Sequence, residues 1–194
     1  MKKILFSIVL FLSFCVNCFS QVEYEDKEKE GAGFVSVLMT GTMIDKQFGF
    51  MIGGGGGFIV KKIRIGVFYE GLVSKVSLHP INSVNTYKFA VSYGGLWVGY
   101  PLWSSKKFHA LTDLKICFGT TSMRNATNVW EESDKNFLYG FIPYIGGEYY
   151  ITEHFAVCLG VDYRLCFFPK NPENHKQNIL NFPSIRLGIK LGIF

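Results

Sequence analysis

The sequence predicts an all-β chain closed into an eight-stranded antiparallel up-and-down transmembrane β-barrel. Three observations lead there. Long segments alternate apolar residues with a period of two, their second face carries glycine, small residues and a few charges, and their connections are short and long by turns. Successive side chains of a strand point to opposite faces, so such alternation marks one extended element with two unlike surfaces. A soluble sandwich turns its polar face to water and uses strands of about five or six residues. Here the segments run to roughly twice that length. An apolar outward band around a small, partly charged interior is the pattern of a membrane-spanning barrel.

The chain opens on MKKILFSIVLFLSFCVNCFSQ, where Lys2 and Lys3 precede an apolar run from Ile4 to Val16 and the small residues Cys18 and Ser20 lead to Gln21. That layout predicts a cleaved secretory signal peptide over residues 1–20, and a run too short for a lasting membrane helix. Phe14 before Cys15 and Asn17 before Cys18 do not supply the small residue that a lipoprotein cut requires. Residues 21–32 are mostly charged with no apolar period, and read as a solvated tail. Losing Lys2 and Lys3 lowers the net charge from +5 to +3, with no basic cluster of the kind that binds nucleic acid.

The barrel is expected over residues 33–194, with strands at 33–44, 48–60, 63–74, 87–100, 107–120, 136–151, 154–168 and 180–194. The clearest is HFAVCLGVDYRLCF, where Phe155, Val157, Leu159, Val161, Tyr163, Leu165 and Phe167 face one way and Ala156, Cys158, Gly160, Asp162, Arg164 and Cys166 the other. SIRLGIKLGIF sets Ile185, Leu187, Ile189, Leu191 and Ile193 against Ser184, Arg186, Gly188, Lys190 and Gly192. FHALTDLKICFG sets Phe108, Ala110, Thr112, Leu114, Ile116 and Phe118 against His109, Leu111, Asp113, Lys115, Cys117 and Gly119. The run Gly53–Gly57 has neither the spacing of a dinucleotide fingerprint nor the lysine of a phosphate loop, and it lies between β-rich flanks. It reads as wall, where missing side chains permit tight bending and let an aromatic neighbour lie over bare backbone.

An even strand count puts both termini at one end. Lys61–Lys62, residues 101–106 and residues 152–153 then become short periplasmic turns. Residues 75–86, 121–135 and 168–179 become long polar extracellular loops, and only residues 44–47 make a short outer one. Tyr87, Trp97, Tyr100, Trp103, Tyr139, Tyr149 and Tyr150 are expected mostly near strand ends, as interfacial girdles are.

GFMIGGGGGFIVKKIRIGVFYEGL, FAVSYGGLWVGYPL and the closing RLGIKLGIF resemble the small outer-membrane β-barrel proteins of Bacteroidetes, eight-stranded barrels of the OmpA/OmpX type. The Gln after the expected cut also resembles secreted proteins of that group. The resemblance covers nearly all of the mature chain and implies a fold and an outer-membrane location, with little about activity. It also implies that Phe194 forms part of the signal read by the barrel-assembly machinery during insertion. Phe194 stands out of phase with the aliphatic row that ends at Ile193.

Candidate chemistry is sparse. His79, His109, His154 and His175 form no close ligand pair and no His-Glu-x-x-His, so neither a metal site nor a cofactor is expected. A lipid-modifying enzyme of the lipid A deacylase type would draw on Glu70, Ser77, His79 and Ser83, but nothing in their spacing builds a triad. A soluble lipocalin-like carrier would reverse the faces and hold the apolar rows inside. The alternation puts Arg64, Glu70, Asp113, Lys115, Glu148, Asp162, Arg164, Arg186 and Lys190 in the lumen, where charges must pair to be tolerated. The expectation is an interior ion-pair network that plugs the barrel, with Arg164 paired to a carboxylate such as Asp162 or Glu148. Cys117, Cys158 and Cys166 are expected as free thiols, since strands two apart lie about 9–10 Å from each other and a disulfide needs less. The function this suggests is non-enzymatic: a structural or interaction barrel set in outer-membrane lipid, meeting an unidentified protein or surface through its outer loops.

Overall fold

The computed structural model describes residues 32–78, 87–125, 134–169 and 178–192. The signal peptide, the charged tail up to residue 31, most of the long connections and Phe194 lie outside the described residues. Ten strands appear: β1 (Ala32–Ile44), β2 (Gln47–Val60), β3 (Ile63–Leu72), β4 (Val76–Leu78), β5 (Tyr87–Ser104), β6 (Phe108–Asn125), β7 (Asp134–Thr152), β8 (Phe155–Tyr163), β9 (Leu165–Phe167) and β10 (Pro183–Gly192). Eight of them, β1, β2, β3, β5, β6, β7, β8 and β10, pair antiparallel in a ring that β1 and β10 close, with Phe34 opposite Gly192 and Thr42 opposite Ser184. The two short strands extend the wall at one end, β4 on β5 and β9 on β7.

Several bounds differ from expectation. β5 runs four residues past the expected 100, so the turn to β6 shrinks to residues 105–107, and β6 runs five past the expected 120 toward the next loop. β5 absorbs Pro101 through a register shift between Pro101 and Trp103. That extra residue reverses the phase and turns Trp103 outward, as a bulge does. The expected strand 154–168 breaks at Arg164, whose amide bonds to the Phe182 carbonyl instead of a ladder partner. The connection Asp45–Lys46 is a two-residue hairpin turn with both residues at positive φ, 45° and 65°.

The glycine run is wall and sits between β1 and β3. Gly53, Gly55 and Gly57 share the inward phase of Met51, and Phe34, Phe68 and Glu70 stand opposite them. A Cβ on Gly57 would fall 2.1 Å from the Ile65 carbonyl oxygen, and one on Gly55 would fall 3.1 Å from Phe68 Cβ. Glycine here permits a backbone approach that no other residue allows, and it frees lumen space for two aromatic rings.

The outward rows remain exposed on every wall strand, with Val35, Phe58, Val67, Leu96, Phe118, Ile145, Leu159 and Ile185 among them. The carrier arrangement, with these rows inside, is therefore not the fold.

Candidate functional site

The inward charges are all buried, and they fall into two groups along the lumen. Nearer the short turns, Glu148 at the end of β7 collects cations from both sides of the ring. Arg64 Nη2 on β3 lies 2.7 Å from Glu148 Oε2, and Lys190 on β10 contacts Oε1. Tyr150 OH donates to Oε2 at 3.0 Å and Cys158 Sγ to Oε1 at 3.4 Å. Lys190 Nζ also lies 4.9 Å from the Trp97 ring centre and 5.1 Å from that of Phe34.

The second group centres on Glu70. Lys115 Nζ donates to its Oε1 at 2.5 Å, Arg186 Nη2 lies 3.7 Å from the same oxygen, and Tyr93 OH donates to Oε2 at 3.2 Å. Arg186 bridges onward to Asp162, with Nη2 2.7 Å from Oδ2. Neither of those two atoms makes an aligned hydrogen bond, so this is a charge contact with poor angles. Lys115 Nζ sits 4.3 Å over the Phe68 ring and Arg186 4.9 Å from Tyr144. A cavity of about 10 Å³ between the groups touches Asp113, Tyr144, Glu148, Arg186 and Lys190, roughly the least that holds one water.

Two of the nine charges stand outside these pairs. Asp113 makes no ion pair among the described residues, and its Oδ1 has no hydrogen-bond partner; Gly99 opposite it is bare, and a Cβ there would fall 2.2 Å from that oxygen. Arg164 does not pair with Asp162 or Glu148, which corrects the sequence expectation. Its Nη2 donates to Ser184 Oγ at 3.1 Å, its guanidinium lies 5.9 Å from the Tyr93 ring centre, and Nη1 has no partner among the described residues. The reason is placement: Asp162 and Arg164 are two apart on one strand edge, while Arg186 reaches Asp162 from the neighbouring strand. Among the described residues the buried cations Arg64, Lys115, Arg164, Arg186 and Lys190 outnumber the carboxylates Glu70, Asp113, Glu148 and Asp162 by five to four.

The aromatic expectation needs two corrections. Trp97 is 2% exposed and pairs directly with Lys115, so it points into the lumen. Tyr150 also faces inward, bonded to Glu148. Trp103, Tyr139 and Tyr149 face outward, as girdle residues do. Tyr93 and Tyr144, unremarked in the sequence, are interior partners; their parity with Trp97 and Glu148 on β5 and β7 was the available signal.

At the loop end the lumen is apolar. Val76 and Leu78 of β4, Ile179 and Leu180 beside β10, and Phe89, Val91, Met123, Leu138 and Phe168 of the walls form one buried cluster. Gln47 at the start of β2 ties β4 to the wall, donating to the Ser77 carbonyl at 2.5 Å and accepting from the Ser77 amide at 3.3 Å. The polar composition of the long connections hides these few apolar residues at their ends.

His109 and His154 lie near the short turns, and His79, Ser83 and His175 lie outside the described residues. Among the described residues no group of three or more His, Cys, Asp or Glu is placed to hold a metal ion. The cysteines Cys117, Cys158 and Cys166 are buried free thiols.

No family model matches the chain, and no curated protein matches it. Solved structures do. Neisserial surface protein A aligns over 83% of this chain and 96% of its own, with a TM-score of 0.55 and 14% identity. The fold is that of a small outer-membrane β-barrel. A major outer membrane protein from Thermus thermophilus aligns over 83% of this chain and 99% of its own, with a TM-score of 0.52 and 10% identity. At such identities the likeness is one of fold, and the interior of this barrel is read from its own residues.

Proposed function

We propose that this chain is an integral outer-membrane barrel with a plugged lumen, acting without catalysis as a structural or interaction barrel through its loop end. The observation that carries the reading is the pairing of a continuous exposed apolar band with an interior that spends its side chains on one another. Water does not tolerate a band that includes Phe58 at 66% and Ile185 at 63% exposure on every turn of the wall, whereas lipid does. The plug rests on the two ion-pair groups, the apolar cluster above them and the pinned β4. An eight-stranded barrel is only wide enough for its own side chains.

Outer-membrane lipid is the partner of the wall. The N-terminal signal-peptide pattern supports export, and Phe194 is proposed as part of the signal read by the barrel-assembly machinery. The resemblance to Bacteroidetes barrels supports the same location. An unidentified protein or surface is the proposed partner of the long loops.

Fractionation tests the location: the mature chain should need detergent to leave the outer membrane, and recovery as a soluble periplasmic monomer would overturn it. Planar-bilayer recording tests the plug, with no stable open-channel conductance expected; steady single-channel steps from the purified barrel would refute it.

A further inference from the structure

The short turn between β5 and β6 carries Lys106 and Lys107, both exposed. Its shape is held by bonds on both sides. Ser105 Oγ accepts from the Phe108 amide at 3.2 Å and donates to the Phe108 carbonyl at 3.1 Å, and the Lys107 carbonyl accepts from the Tyr150 amide at 2.8 Å. Neither lysine makes an ion pair or a side-chain hydrogen bond with the described residues. Lys61 and Lys62 form the turn of the neighbouring hairpin, because β3 pairs with β5. Two strand spacings, about 9–10 Å, separate the two turns around the ring. The one carboxylate in the three short turns is Glu153, between β7 and β8.

Trp103 and Phe108 flank this turn on the outer face, 49% and 41% exposed, with ring centres 5.9 Å apart. Tyr149, the ladder partner of Phe108, is 50% exposed beside them. Plain alternation from the inward Trp97 would carry Trp103 into the lumen; the register shift between Pro101 and Trp103 brings it out. The wall thus gives up one regular ladder step to set an indole on the lipid side, next to two free ammonium groups. Such a face offers apolar area to an acyl chain and positive charge to a headgroup.

We propose that the β5–β6 turn is a seat for an anionic glycerophospholipid of the phosphatidylglycerol class. Lys106 and Lys107 hold its phosphate, an acyl chain lies over Trp103, Phe108 and Tyr149, and Lys61 and Lys62 add positive field from the next turn. The inference rests on the membrane-barrel reading above and names the lipid that this part of the wall selects. The topology drawn from loop lengths puts the short turns in the periplasm, so the occupant belongs to the periplasmic leaflet, away from lipid A at the loop end. Each lysine beside an anionic surface favours it about fivefold, so the pair on one turn is worth roughly 25-fold. A phosphatidylcholine headgroup gains little of this, since its own cation cancels the phosphate charge. Salt should weaken the preference, because these charges are exposed.

The test titrates the full mature barrel in dodecyl maltoside with phosphatidylglycerol or phosphatidylcholine brominated on the acyl chain, which quenches an indole it touches. Phosphatidylglycerol should reach half-quenching at a mole fraction at least about tenfold lower than phosphatidylcholine, and Trp103→Phe should remove that component of the signal. A Lys106→Gln/Lys107→Gln double variant should lose the preference, while Lys135→Gln, exposed at the loop end of β7, should keep it. Heat-modifiable gel migration certifies that each variant is folded. Equal quenching by the two lipids, a preference that survives in the double variant, or the same loss in Lys135→Gln would each overturn the proposal. Insertion into vesicles separates it from the reading beneath it. A barrel that enters pure phosphatidylcholine vesicles but shows no preference for phosphatidylglycerol refutes this inference alone, whereas one that enters neither these nor equimolar vesicles of the two lipids refutes the membrane reading as well.

Discussion

Glu148→Gln is the sharpest probe of the interior. One carboxylate serves Arg64 at 2.7 Å and Lys190 on its other oxygen, and all three side chains are buried, at 5%, 3% and 0% exposure for Arg64, Lys190 and Glu148. The amide keeps the shape, and its oxygen still accepts from Tyr150, so the change removes charge with little change of volume. Two cations are then left facing each other without a counter-charge. Stripping one partner from a buried pair costs about 3–5 kcal/mol, and a urea slope of roughly 1–3 kcal/mol per molar turns that into a midpoint lowered by at least about 1 M. Trp97, 4.9 Å from Lys190 Nζ, is a built-in fluorescence reporter for urea unfolding in detergent or lipid. Adding Lys190→Met should recover part of the loss by removing one orphan cation. An unchanged or raised midpoint for Glu148→Gln would refute the claim that these charges are held by one another.

Three further outcomes are expected. Gly57→Ala should block β2–β3 pairing, because its methyl would stand 2.1 Å from the Ile65 carbonyl oxygen; heat-modifiable, wild-type-like migration of that variant would disprove the close approach. Leu187→Arg, on the exposed row of β10, should cost about 2–4 kcal/mol at the bilayer midplane, read as a lower unfolding midpoint in vesicles, and a neutral result there would move that row out of lipid. Alkylation of the mature chain after unfolding in chelator should label Cys117, Cys158 and Cys166 alike, since the fold holds them as free thiols; intact mass showing a bridge among them would mean the register is wrong.

The wall was legible in the residues alone. A period of two is a local property, readable within one strand, so the inward phase of Asp113, Lys115, Asp162, Arg186 and Lys190 and the outward phase of Leu159 and Ile185 were open to view before any partner was known. The same reasoning went astray where phase was not counted, at Trp97 and Tyr150. Who meets whom was settled by the closed ring. Glu70 and Lys115 are 45 residues apart, Glu148 and Lys190 are 42, and the hydroxyls of Ser184 and Thr42, 142 apart, bond across the closing seam. Such meetings depend on register and strand tilt around the barrel, which no single segment encodes. The placing of Cys117 and Cys166 on either side of Gly140 has the same origin, since β6 and β9 bring them to one glycine of β7.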